Sequence, residues 1–75
     1  MKWTLPDRWA PEGRVLEWTC GCDGVFYELR QASGLQFIRR IRRDEHGVEV
    51  IEDSERWRAG VAAAQWNALL MGHLR

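Results

Sequence analysis

Seventy-five residues and 8.8 kDa make one small domain, near the size at which a single hydrophobic core is just enough to hold a chain folded. With 45% hydrophobic and 11% aromatic residues the chain is too apolar for a disordered tail, yet no apolar run approaches the roughly 20 residues of a membrane span. Eleven basic residues balance eleven acidic ones, so no long-range positive field draws the whole chain to nucleic acid.

Met1 to Asp7 carries no apolar stretch of signal-peptide length, and a cytoplasmic protein with no membrane contact is expected. Ten of the eleven basic residues are Arg, which suits the codon bias of a GC-rich bacterial genome. Residues 1–13 hold two prolines, Pro6 and Pro11, and two tryptophans, Trp3 and Trp9. They read as an arm laid on the fold, with residues 14–75 forming a single domain.

From Arg14 to Cys20 the residues alternate, with Leu16, Trp18 and Cys20 on one side, which is the period of a half-buried strand. Asp23-Gly24 then suits a two-residue hairpin turn. That turn would place Cys22 opposite Val25, Cys20 opposite Tyr27 and Trp18 opposite Leu29, with Trp18 in the core. Ala32-Ser33-Gly34 marks a second turn, read as a three-residue loop that sets Leu29 opposite Phe37 and Val25 opposite Ile41. A third turn, Asp44-Glu45-His46-Gly47, would set Arg42 opposite Glu49, Ile41 opposite Val50 and Arg39 opposite Glu52.

Asp53 or Ser54 can cap a helix, Glu55 suits its first turn, and the Ala-rich run that follows favours a helix from about Glu55 to about Met71. Trp57, Val61, Ala64, Ala68 and Met71 line one side, while Ala59, Ala63, Trp66, Leu70 and Leu74 lie nearly opposite. A helix apolar on two sides is buried on two sides, so either the arm covers its back through Trp3, Leu5 and Trp9 or a second chain does. A homodimer is the expectation. The fold class is α+β: a four-stranded antiparallel meander with one C-terminal helix packed on one face.

The soft metal ligands of the chain are Cys20, Cys22, His46 and His73. A meander with a returning helix brings all four to one pole, which makes them a candidate zinc site. Cys-x-Cys on a strand separates its sulfurs unless Gly21 bulges, so the spacing is not a familiar zinc pattern.

Arg39-Arg40-Ile41-Arg42-Arg43 has the chemistry of a nucleic-acid patch. In element order alone, three strands followed by a helix resemble the small sheets with which integrase-arm and AP2-type domains read the major groove, although no motif residue of those families is present. Six carboxylates between Asp44 and Glu55 stand beside the Arg run and would neutralise much of it.

Enzymatic readings lack material: two His, two Ser and two Cys offer few ways to place a nucleophile beside its base. No glycine-rich loop leads into a helix to bind phosphate. The function expected is therefore a non-catalytic protein-interaction or regulatory module, dimeric, with DNA binding as the alternative. Its working surface is expected on the outward sheet face around Phe26, Ile38, Arg40, Arg42 and Ile51, or on the helix at Trp66 and Leu70.

Overall fold

Left-handed backbone at the turns sets the topology. Ser33 and Gly34 both take positive φ, 52° and 78°, and this pair closes a two-residue hairpin of the kind whose twist matches its strands. Asp44 bonds Val48 and Gly47 through its backbone, and its side-chain carboxylate accepts from the N–H groups of His46 and Val48. Gly47, at φ 77°, ends that three-residue loop. The computed structural model describes residues 2–6, 9–19 and 24–72.

The elements are β1 (Arg14–Trp18), β2 (Val25–Ala32), β3 (Leu35–Arg43), β4 (Glu49–Asp53) and α1 (Ala59–Leu70). The strands form one antiparallel sheet in the order β1-β2-β3-β4, the α+β meander expected from the sequence.

Every register differs from its sequence-based expectation, by one residue except at Arg14 and Val15, where the bulge in β1 makes it two. Leu29 stands opposite Ile38 and Val25 opposite Arg42, because the β2–β3 turn has two residues rather than three. Ile41 stands opposite Ile51, Arg42 opposite Val50 and Arg39 opposite Asp53. In the first hairpin Glu17 faces Leu29 and Trp18 faces Glu28, with a bulge between Val15 and Glu17. Thr19 faces Tyr27 through two bonds, from its backbone N–H and to its hydroxyl oxygen. The expected pairs of Cys20 and Cys22 lie outside the described residues.

A shift of one residue exchanges the faces of a strand, and Trp18, expected in the core, is 69% exposed. The core consists of Tyr27, Leu29 and Ile38 from the sheet with Ala62, Trp66 and Leu69 from α1. The helix presents a spacing of four and three, which aligns one stripe, and that stripe differs from both expected sides. Trp66 is 3% exposed, and its indole N–H has no hydrogen-bond partner among the described residues.

α1 begins four residues later than the sequence suggested because Ser54 to Trp57 still serves the sheet. The Ser54 hydroxyl accepts from the Ile38 N–H and donates to the Glu55 carbonyl, while Trp57 and Gln36 exchange two backbone bonds of 2.8 Å. Asp53 and Ser54 therefore cap nothing. Arg58 occupies the N-cap without a side-chain cap bond.

The arm goes round the β4 edge rather than over the helix. Trp3 packs beside Tyr27 and under the Arg40 guanidinium, 4.4 Å from its ring centre, and Thr4 exchanges backbone bonds with Asp53. Further on, Pro11 to Gly13 lies across the sheet face opposite α1. There Arg56 donates to the Pro11 carbonyl, Arg30 to the Glu12 carbonyl and Arg39 to the Glu12 carboxylate. Phe37, on that face, is completely buried, with Arg56 stacked 4.2 Å from its ring centre.

Candidate interaction surface

Strand alternation divides the sheet into two faces with different fates. Tyr27, Leu29 and Ile38 point towards α1, and Arg40, Arg42 and Glu52 share that side by parity. The other face carries Trp18, Phe26, Glu28 and Arg30, then Phe37, Arg39 and Ile41, then Ile51 and Asp53.

The surface expected from the sequence is thereby split. Phe26 and Ile51 lie on the face away from the helix. Ile38 is fully buried beneath α1, so it is no part of an outward surface, and Arg40 and Arg42 lie on the helix side. Trp66 is core and Leu70 is half-exposed on the helix. Cys20, Cys22 and His73 lie outside the described residues. His46 sits on the exposed third turn, 3.6 Å from Glu45, and no metal-binding group occurs among the described residues.

A charged band crosses the face opposite α1. The Arg39 guanidinium donates to both carboxylate oxygens of Asp53, at 2.8 and 3.1 Å. The hydrogen bond it donates to Asp53 holds the guanidinium above its usual range; burial opposes this, and the Asp53 charge and Glu12 add to it. Glu28 and Arg30 pair at 2.8 Å beside it. One side of this band is covered by the arm beside Ala32 and by Arg56 over Phe37; the other is open.

The open half holds an apolar row. Phe26, Ile41 and Ile51 stand directly opposite one another on β2, β3 and β4, and Trp18 on β1 lies one pleat away beside Glu28. Trp18 is 69% and Phe26 46% exposed. Next to the row a groove of about 250 Å³ is lined by Gly24, Phe26, Ile41, Arg42, Arg43 and Glu49. Arg43 donates to the Gly47 carbonyl at the rim.

Sequence reasoning missed Trp18 and Ile41 as surface residues because both were assigned to the core by the one-residue register error. The signal that could have found Ile41 is the Ser33-Gly34 dipeptide, a tight-turn mark; Trp18 is placed by the β1 bulge, which no local pattern announces.

The arginines behave as the acidic neighbours suggest. Glu52 accepts from both Arg40 and Arg42, at 2.9 and 3.0 Å. Burial alone would push its carboxyl up, but the hydrogen bonds and charges of Arg42 and Arg40 outweigh it and hold Glu52 below its usual range.

No protein-family model, curated protein or solved structure matches this chain. No helix of the described residues is long and apolar enough to cross a membrane.

Proposed function

We propose that this chain is a non-catalytic protein-interaction module that docks an extended segment of a partner protein on the open half of the sheet face opposite α1. The observation that carries the reading is the row Trp18, Phe26, Ile41 and Ile51, an apolar strip spanning all four strands with large aromatic groups left in solvent. Interfaces favour such aromatic anchors.

The kind of partner follows from the same face. Its covered half already takes a segment of the chain itself, Pro11 to Gly13, whose carbonyls and carboxylate are met by Arg30, Arg39 and Arg56. A partner segment in extended form would continue that use of the face, with its side chains on the apolar row and its backbone within reach of Arg43.

DNA binding is less well supported by the geometry. Arg39 is buried on Asp53, and Arg40 and Arg42 share Glu52, so phosphate contact would have to break existing pairs.

Peptides selected on the purified chain from a random library test this reading. Their affinity is expected to fall roughly tenfold or more in Phe26→Glu and Trp18→Ala, with circular dichroism unchanged, and to persist in Leu70→Glu. Selected peptides that bind these variants as well as the parent sink the proposal, as does salt-sensitive duplex binding in place of peptide binding.

A further inference from the structure

α1 carries no charged residue between Ala59 and Leu70. Its inner stripe is used by the core, and its outer surface presents Gly60, Val61, Ala63, Ala64, Asn67, Leu70 and Met71, all exposed. A helix apolar on both sides calls for a cover on both sides. Among the described residues the arm is the internal candidate for that cover, and it places Trp3 beside Tyr27, Thr4 on the β4 edge, and Pro11 to Gly13 on the opposite sheet face.

We infer that the outer face of α1 pairs with the same face of a second copy, the two helices running antiparallel about a two-fold axis. This interface is separate from the peptide-docking sheet face.

Two features favour a second copy as the occupant. The first is shape. Gly60, Ala64, Asn67 and Met71 recur at spacings of four, three and four, which aligns them along one seam. In an antiparallel pair the partner's Met71 falls over Gly60 and the partner's Asn67 over Ala64. Large groups thus meet small ones in a self-complementary contact.

Gly60 has no other evident use, because a Cβ built there meets nothing within 4 Å in the single chain. Glycine within a helix costs conformational entropy, and close approach of a second helix supplies a reason to keep it.

The second feature is charge. α1 has no acidic residue in its first turn and no basic residue in its last, and Arg58 stands at its N-cap, the wrong sign for that end of the dipole. The antiparallel arrangement sets Arg58 at the C-terminal end of the partner's helix, where a cation is favoured, and opposes the two helix dipoles.

Sedimentation velocity over roughly 10 to 500 μM, the range suited to a small interface, tests the inference with three variants. The parent chain is expected to dimerise. Gly60→Leu, which has free space in the single chain, is expected to weaken self-association by about tenfold or more without changing the circular dichroism spectrum. Arg58→Glu separates this inference from a simple stability effect: it improves the dipole of the isolated helix, so the monomer should unfold later while the dimer weakens. Phe26→Glu, on the sheet face, should leave the dimer intact. A parent chain that is monomeric throughout overturns the inference. So does a dimer that withstands Gly60→Leu, or one that is lost in Phe26→Glu.

Discussion

Arg39 and Asp53 form a two-pronged ion pair between neighbouring strands, and the same guanidinium reaches Glu12 of the arm at 3.1 Å. One buried cation thus ties together β3, β4 and the N-terminal segment. Removing one member of such a pair leaves an uncompensated buried charge, which costs more than the pair contributes. Asp53→Ala is expected to destabilise the chain by about 3 kcal/mol or more in urea unfolding. The double variant Arg39→Met with Asp53→Leu should recover most of that loss. A single variant within about 0.5 kcal/mol of the parent, the range of ordinary surface changes, would show that the pair does not hold the fold.

Gly13 is where the arm meets β2. Its φ is 63°, and a Cβ there would fall on the Gln31 carbonyl and against the Ala32 side chain. Gly13→Ala therefore faces both a left-handed backbone and a steric collision with main chain. Destabilisation of about 2 kcal/mol or more is expected, together with faster amide exchange at β1. An unaltered midpoint of unfolding would mean that the arm sits elsewhere in solution.

Glu52 makes stability depend on acid. Its pKa is lowered by folding because Arg42 and Arg40 overcome the effect of burial, so the unfolded chain binds this proton more readily than the folded one. The sign follows: its contribution is present above the unfolded value, about pH 4.3, and is lost as pH falls through the lower folded value. Urea midpoints measured between about pH 7 and pH 2.5, a span that covers both values, should fall most steeply below about pH 4.5. In Glu52→Gln that part of the slope should be reduced. An equal slope in both proteins would assign the acid sensitivity to other carboxylates.

Local chemistry made much of the fold legible. Glycine-bearing turns between alternating segments marked four strands, and an uninterrupted Ala-rich run after Ser54 marked one helix. These features depend on residues close together in the chain. The faces were not legible, and β3 shows why: Phe37 and Ile38 are adjacent, both apolar and both completely buried, one under Arg56 on the face the arm crosses and the other under α1. A period of two identifies a core face when the other face is wet. It is silent when both faces are covered.

What the sequence by itself determined is therefore the list of elements, their antiparallel order and the proximity of the Arg run to its carboxylates. Tertiary structure decided which way β1, β3 and β4 face, for β3 through a single residue of turn length that depends on Ser33 accepting positive φ. It also decided where the arm lies, because the arm is held by contacts such as Thr4 with Asp53 and Glu12 with Arg39. These join residues 49 and 27 positions apart, and no local pattern encodes them. The exposed row from Trp18 to Ile51 and the uncovered back of α1 are consequences of those two decisions.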